Sequence, residues 1–371
     1  MPQTRAQTTI ASDFRRAGKE QLSLALMDTR NHSLHLAAQF EKTEAALPLV
    51  WQLLDGAARF QAHWITHQPS PETATPPPDA ARTRAYLLKT LEATLELLEK
   101  APDSDDGLYF FRFALFHEDQ VREDLVSLAQ VHGLALPISL PGAGAARDAL
   151  LVPATRWRVG CEAGAGFAFD NEQPAFDDPV PEFEIDAQAV SWAQYVEFVD
   201  DGGYDDEAFW HPEGWAWLAQ KAALEGWRAP RFVDQIGVAS GAVMQTRFGQ
   251  ARRMLGGQCV THVTWYEADA WARWAGRRLP AEVEWEVAAH VAQRRGFQWG
   301  DVWEWTASTF RPYPGFIPGP WADYSQPAFG THKVLRGASF ASADRLRSPK
   351  FRRFALPEED ALFCGFRTCA I

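Results

Sequence analysis

The chain has 371 residues, of which 46% are hydrophobic, and it carries 16 tryptophans and a formal net charge of −12. That length suits two domains better than one, and the acidic balance argues against a nucleic-acid or anionic-membrane partner, since both need clustered Lys and Arg. The first 16 residues lack an apolar signal-peptide core, no run reaches the ~18 apolar residues of a membrane span, and four cysteines make no disulfide framework, so we predict a cytoplasmic protein.

The first part of the chain is predicted to be helical. Apolar residues recur at helical spacing in four segments, which are residues 12–42, 48–66, 81–100 and 107–132. The loop before the third segment contains three successive prolines, which no helix interior would hold, and Asp79 at its end is a candidate N-cap. Four helices with one long loop predict a bundle.

The second part changes in composition and predicts a different architecture. A Pro-Gly-Ala-Gly-Ala run marks a linker, and beyond it Trp, Gly and Pro become more frequent while the predicted elements shorten. These elements are a strand at Phe183–Asp186, helices at Ser191–Val199 and Tyr266–Gly276, and a helix beginning near Leu279–Glu282. We therefore predict an α+β fold with a four-helix bundle over 1–137, a linker over 138–151 and a mixed domain over 152–371.

Several motifs resemble known families. The stretches Trp299–Thr306 and Val334–Ser339 resemble the formylglycine-generating-enzyme and sulfoxide-synthase fold, a C-type-lectin-like domain. Phe167–Glu172 and Cys364–Cys369 resemble the ergothioneine sulfoxide synthases, most closely the selenoneine synthase branch, and Arg30–Leu34 in the bundle resembles that branch too. The helical part looks like the DinB-like bundle that precedes the lectin-like domain in these proteins.

The resemblance implies a chemistry and a cofactor. Members of this family are mononuclear non-haem iron enzymes that use dioxygen to join sulfur or selenium to the imidazole carbon of hercynine, a histidine betaine. Their iron is held by one His on the second helix and two on the fourth, in a His-x-x-x-His-x-Glu pattern. Residues four apart share a helix face, so both imidazoles reach one ion. The expected cofactor of an active member is therefore Fe(II).

This sequence departs from the family's metal pattern twice. In the segment His117–Glu123, His117 matches the first ligand, but Val121 occupies the second His position. On the second helix the ligand position falls on Gly56 or, with one residue of slip, on Asp55, and only the latter could coordinate a metal. We therefore expect less than one equivalent of iron in a family-like site, and no cofactor in an inactive member.

One alternative would rescue a metal. His63 and His67 form an i, i+4 pair at the end of the second helix and could combine with His117 in a relocated site. The simpler interpretation is an amphipathic helix end with both rings near solvent. His117 alone is more often a hydrogen-bonded core histidine than a ligand.

The resemblance also implies substrate-facing residues, expected to converge on one ligand. Gln120 matches a glutamine that contacts the hercynine imidazole, or it is an ordinary polar helix residue. Arg353 replaces an Asn near the betaine end and would favour a carboxylate, while Phe354 keeps an aromatic face suited to a cation. Tyr313 lies near the family's catalytic tyrosine, a proton donor, or it is a turn residue.

Three function classes remain. The first is an iron- and oxygen-dependent enzyme forming a C–S or C–Se bond on a histidine-derived betaine. The second is a metal-free, inactive homologue that binds a small molecule, such as this betaine or another carboxylate, or a partner protein. The third, formylglycine generation, needs a redox Cys pair, and residues 338–353 contain no Cys, so the sequence disfavours it.

Overall fold

The computed structural model describes residues 13–66, 80–226, 228–237 and 241–371. The predicted mixture of helices and strands in one chain is confirmed. The chain divides into two compact units, each assembled from more than one stretch of sequence. The first comprises Met1–His132, Ala163–Phe169 and Ser342–Leu346, and the second comprises Gly133–Glu162, Asp170–Ala341 and Arg347–Ile371.

The helices of the first unit follow the predicted apolar periodicity. They are α1 (Lys19–Gln39), α2 (Leu47–Trp64), α3 (Ala80–Lys100) and α4 (Asp105–Val131). The first begins later than predicted, because Phe14–Arg16 forms a separate 3-10 turn capped by the Asp13 side chain. The Pro-rich loop and the candidate cap Asp79 lie outside the described residues.

In the first unit, α1 packs against α4 and α3, and α2 packs against α3 and α4. The buried face of α1 alternates apolar with polar side chains, since Thr29, Arg30 and Ser33 lie on it beside Leu22 and Leu26. A face of that composition has to satisfy its polar groups inside the bundle. This requirement determines much of the candidate site.

The second unit contains short helices and strands. The helices are α5 (Trp192–Asp200), α6 (Pro212–Glu225), α7 (Trp265–Trp274) and α8 (Glu282–Val291). The strands are β1 (Leu150–Val152), β2 (Thr155–Val159), β3 (Phe176–Val180), β4 (Phe183–Ile185), β5 (Val233–Gly237), β6 (Ala242–Arg247), β7 (Gln250–Met254), β8 (Arg277–Arg278), β9 (Trp303–Thr309), β10 (Lys333–Gly337), β11 (Arg353–Ala355), β12 (Cys364–Phe366) and β13 (Cys369–Ala370).

The described strands form small sheets with long-range pairings. Their orders are β1-β4-β13-β8, β11-β10-β9-β12, β2-β3 and β5-β6-β7. β12 runs parallel to β9, whereas β10 is antiparallel to both β9 and β11. Strands far apart in sequence thus become neighbours, which is how this unit brings its chemistry-bearing residues together.

Local sequence signals account for the helix ends in the second unit. α5 begins with a capping box formed by Ser191 and Gln194, and Gly202 beyond its end has a φ of 76°, a conformation suited to glycine. Trp303 and Trp305 are both fully buried on β9. Within the described ranges, no helix has both the length and the apolarity to cross a membrane.

Candidate functional site

The fourth helix presents His117 to the interior of the first unit. α4 begins at a Ser104 cap that accepts a hydrogen bond from the Gly107 N–H at 3.2 Å, with acidic residues in its first turn. The His117 ring lies 5.6 Å from the Phe60 ring and 6.4 Å from the Phe113 ring. Burial lowers the pKa of His117 to about 4, with the Glu118 charge opposing it. The imidazole is therefore neutral near pH 7.

The residue after His117 is committed to an ion pair. Glu118 accepts two hydrogen bonds from the Arg30 guanidinium, at 2.6 and 2.9 Å, and both side chains are fully buried. The Gln61 amide of α2 donates a third, at 3.1 Å. Because both carboxylate oxygens already accept charge-assisted bonds, Glu118 stabilises the packing of α4 on α1 and α2.

Asp119 is committed in the same way, to a segment distant in sequence. It accepts hydrogen bonds from the Thr29 hydroxyl at 2.9 Å and from Arg345 at 2.6 and 2.9 Å. Arg345 also donates to Asp28 at 2.9 Å, and the neighbouring Ser342 hydroxyl donates to Glu123 at 2.8 Å. The segment 342–346 is thereby fixed to the acidic residues of α1 and α4.

The residues present do not fit the family's three-histidine iron site. Val121 is 5% exposed and has no donor atom, and a Cβ added at Gly56 would meet nothing within 4 Å. Asp55 is paired with Arg59 at 2.5 Å. Across the described ranges, no three His, Cys, Asp or Glu residues are grouped so that they could hold a metal ion. Losing two of three imidazoles removes most of the donor strength that an iron site needs.

The relocated metal site finds little support in the positions of its residues. His63 is exposed, and its ring stands edge-on to Trp64 at 4.6 Å. Phe60 stacks on Phe113 and Trp64 stacks on Phe110, so α2 and α4 run antiparallel. From Phe60, the step to His63 therefore leads away from His117. His67 lies outside the described residues.

Gln120 is a second partly exposed polar side chain near His117. The two lie three positions apart on α4, hence on neighbouring faces, while residues 118, 119 and 121 between and beside them are buried. The Gln120 amide donates a long bond, 3.5 Å, to the Phe116 carbonyl. An amide carries both a donor and an acceptor, as a neutral imidazole does, so the two side chains can recognise another polar group.

In the second unit, Tyr313 is buried in a charged network. Its hydroxyl accepts a hydrogen bond from Arg336 at 3.1 Å, and the Arg352 guanidinium lies 4.0 Å from the ring centre. Arg336 and Arg352 both pair with Glu282, at 3.1 and 2.9 Å. Burial, and then the Glu282 charge, raise the pKa of Tyr313 well above its usual value, so the phenol keeps its proton. Its catalytic role stays a prediction.

Arg353 and Phe354 lie on opposite faces of their sheet. Both belong to β11, where successive side chains alternate, and they pair with Leu335 and Val334 of β10. The Arg353 guanidinium lies 5.4 Å from the centre of the Trp303 ring, whereas Phe354 stacks on another ring of the core. The structure therefore does not bring these two candidates to one side.

Phe354 and Tyr313, by contrast, share a side of the second unit. Phe354 stacks on Phe310 at 4.2 Å, and Arg352 lies between the Phe310 ring at 4.9 Å and the Tyr313 ring at 4.0 Å. The two candidates are linked through one aromatic ring and one guanidinium. Both are packed groups of this unit.

Several charged residues that fix the candidate side chains in place were not among the predicted site residues. Arg30, Arg345 and Glu282 each bind at least two groups, at least one of which is buried, yet none of the three is predicted to form an ion pair. A signal existed for Arg30, because the helical period of α1 places it with Leu22 and Leu26 on the buried face. A charged residue at a core position indicates a buried partner. Nothing local identifies Arg345.

Comparison with known proteins places these features in a family. The family model described as a sulfatase-modifying factor enzyme 1-like domain matches residues 142–301 and 297–370. A hercynine oxygenase of Mycolicibacterium smegmatis is 35% identical, over 79% of this chain and 78% of the relative. One of Mycolicibacterium thermoresistibile is 30% identical, over 94% of each.

Among solved structures, PvdO from Pseudomonas aeruginosa matches with a TM-score of 0.38 and 15% identity, covering 60% of this chain and 93% of that one, a likeness too low to carry weight. The sequence relatives and the family model are decisive, and they confirm the family predicted from the motifs. The chain belongs to the hercynine oxygenase family, whose members resemble ergothioneine sulfoxide synthases, and residues 142–370 form its formylglycine-generating-enzyme-type domain.

Proposed function

We propose that this protein binds and acts on a histidine-derived betaine, as the name of its relatives, hercynine oxygenase, states for them. In this chain, the proposal is supported by the positions of two side chains, His117 and Gln120. They are the two partly exposed residues within 117–121 of α4, where residues 118, 119 and 121 are buried. An amide and a neutral imidazole match the hydrogen-bonding groups of a substrate imidazole.

If the protein is active, we propose that it forms a C–S or C–Se bond on this betaine. The resemblance to the selenoneine synthase branch favours selenium. We also propose that the helical part is a DinB-like bundle, with domain bounds at 1–137 and 152–371. Fe(II) would be the cofactor, but the described donor set does not fit it. No step through iron is therefore assigned to this chain.

A metal-free homologue is the second candidate, because Val121 and Gly56 occupy ligand positions without donor atoms. Such a protein would bind the betaine without transforming it. Arg353 then favours a ligand that carries an accessible carboxylate over hercynine itself, because a guanidinium repels the trimethylammonium group. Tyr313 and Phe354 remain the proposed catalytic and substrate-binding residues of the second unit.

Calorimetric titration with hercynine tests the ligand. We expect the wild type to bind hercynine weakly, and Arg353→Asn to tighten binding. In that background, Gln120→Leu should weaken binding about tenfold, the value of one hydrogen bond to a polar ligand. Gln52→Leu, at an exposed glutamine of α2, is the matched control and should change nothing. Tight hercynine binding that Arg353→Asn leaves unchanged would refute the role of Arg353.

Anaerobic Fe(II) titration with elemental analysis tests the cofactor. The wild type should hold less than one equivalent of iron, and Val121→His with Gly56→His should raise that amount, because the space around Gly56 is open. Val121→Leu with Gly56→Gln changes both positions without adding imidazoles and should not. Tight one-to-one iron in the wild type would restore the oxygen-using enzyme and exclude the metal-free homologue.

A further inference from the structure

A cleft in the second unit contains an arginine whose charge is not neutralised. Arg247 ends β6 and is 3% exposed. Its Nε has no hydrogen-bond partner, and one terminal nitrogen donates a long bond of 3.3 Å to the Gln245 side chain. Within the described ranges Arg247 forms no ion pair, unlike Arg336, Arg352 and Arg367 of the same unit. The guanidinium lies over the rings of Phe340, at 5.7 Å, and Phe363, at 5.9 Å, which do not neutralise its charge. A buried charge without an anionic partner is rare in proteins.

A second unsatisfied donor faces the same cleft. Thr261 is 3% exposed, and its hydroxyl has no hydrogen-bond partner. Thr261 and Arg247 both line a small cleft, part of which is open to solvent. The other walls are largely apolar and include Leu140, Met254 and Phe340. Apolar walls strengthen any electrostatic interaction inside the cleft.

The remaining polar groups of the cleft do not supply the missing negative charge. Burial, followed by the Asp301 charge, raises the pKa of Cys259 to about 12, so its thiol is neutral. Asp301 is exposed and lies outside ion-pair distance of Arg247. Gln258 is already occupied, since its amide donates to the Pro141 carbonyl at 2.8 Å and its oxygen accepts from the Leu255 N–H at 2.7 Å.

The neighbouring strand adds positive charge to the cleft. Arg252 on β7 lies opposite Gln245 of β6. Burial, and secondarily the charge of Arg252, lower the pKa of Arg247 to about 10, which still leaves the guanidinium charged near pH 7. The region therefore attracts an anion.

We propose that this cleft binds a small monovalent anion, either a halide ion or the carboxylate group of a small acid. Arg247 Nε–H and Thr261 Oγ1–H donate to it, and both unsatisfied donors gain an acceptor. A water molecule would satisfy the hydroxyl but would not neutralise the guanidinium. A bound anion thus accounts for both the unneutralised Arg247 charge and the unsatisfied Thr261 hydroxyl, whereas water accounts only for the hydroxyl.

Bromide provides a direct test with the full-length protein. Crystals grown without halide and soaked in sodium bromide should show an anomalous peak within hydrogen-bond distance of Arg247 Nε and Thr261 Oγ1. In solution, chloride and acetate should each raise the thermal midpoint relative to gluconate at equal ionic strength, because gluconate is too bulky for the cleft. An effect of chloride alone identifies a halide site, and an effect of acetate alone identifies a carboxylate site.

Variants separate the cleft from general salt effects. Arg247→Met should weaken anion binding about tenfold or more, the range for a charge-assisted hydrogen bond, and Thr261→Val should weaken it several-fold. Arg252→Gln removes an exposed charge of the same hairpin and is the matched control, with a change of less than about twofold. If Arg247→Met fails to fold, the Thr261→Val variant and the bromide-soaked crystals still test whether the cleft binds an anion. A cleft without bromide density, together with equal midpoints in chloride, acetate and gluconate, would overturn the proposal.

Discussion

The two units bury charge in different ways. In the second unit, the buried arginines other than Arg247 form ion pairs with carboxylates, as Arg367 does with Glu304 and Arg352 with Glu282. In the first unit, α4 pairs its acids with distant cations but leaves His117 neutral between aromatic rings. Paired charges stabilise the packing of the elements that carry them. The uncharged His117 ring adds no ion pair to the packing of α4. Substitutions at the family's ligand positions should therefore cost less stability than breaking either set of pairs.

The largest effect is expected from Arg367→Met in the second unit. It would leave Glu304 buried with only the Trp285 indole N–H, at 2.8 Å, as a donor. An unpaired buried carboxylate costs about 3–5 kcal/mol, which urea unfolding would measure. Arg158→Met breaks an exposed pair with Glu162 and should leave the midpoint unchanged. Equal losses in the two variants would contradict the distinction between buried and exposed pairs.

A comparable effect is expected for Arg30→Met in the first unit. Glu118 would keep only the Gln61 amide, so about 3–5 kcal/mol of unfolding free energy should be lost. Replacing both partners, as in Arg30→Met with Glu118→Leu, should recover most of the loss, since no buried charge remains. Urea unfolding of Arg30→Met, Glu118→Leu and the double variant checks this. If the double variant loses the sum of the two single losses in unfolding free energy, the loss comes from the missing ion pair and not from an unpaired buried charge.

A smaller effect depends on pH and concerns His117. Its pKa falls from 6.5 to about 4 on folding, so the unfolded chain binds more protons between these values. The stabilising contribution is complete above pH 6.5 and is lost as the pH falls to 4, by up to about 3 kcal/mol. His117→Gln should flatten this part of the stability profile, measured by urea unfolding at several pH values. An unchanged profile in His117→Gln would contradict the lowered pKa.

The smallest effect is expected from Ser342→Ala. It removes the 2.8 Å hydrogen bond to Glu123, and a bond to a charged group contributes about 1–2 kcal/mol. Ser348→Ala, at a partly exposed turn where Ser348 accepts a 3.2 Å bond from the Lys350 N–H, should cost less. Thermal midpoints of the two variants compare them. A larger shift for Ser348→Ala would show that the segment 342–346 contributes little to the first unit.

Helical periodicity explains what the sequence could predict. The four helices and the shared face of His117 and Val121 follow from spacing alone. The pair Arg30–Glu118 spans 88 positions and the pair Arg345–Asp119 spans 226, so no local pattern reveals either partner. Family resemblance identified the ligand positions because it compares whole motifs and not single residues.

The second unit shows a different limit. No strand was assigned to residues 353–355, and the alternation that separates Arg353 from Phe354 was therefore missed. The sheet β5-β6-β7 was also unassigned, since β7 exposes its first four residues and shows no apolar alternation. Helix α6 was not predicted either. Short strands without a buried stripe carry too little pattern to be recognised from one sequence.

The first unit cannot form all its hydrogen bonds until the segment 342–346 has been synthesised. Arg345 lies 226 positions after Asp119 and 317 after Asp28, so α4 leaves the ribosome long before its partner exists. At roughly 5–20 residues per second, that interval lasts on the order of 10–45 s. During it Asp119 has the Thr29 hydroxyl as its donor and Arg122 of the same helix as an ion-pair partner at 3.9 Å, but the two shorter bonds from Arg345 are still missing. The first unit therefore begins to fold early but reaches its final stability only after most of the second unit has been made.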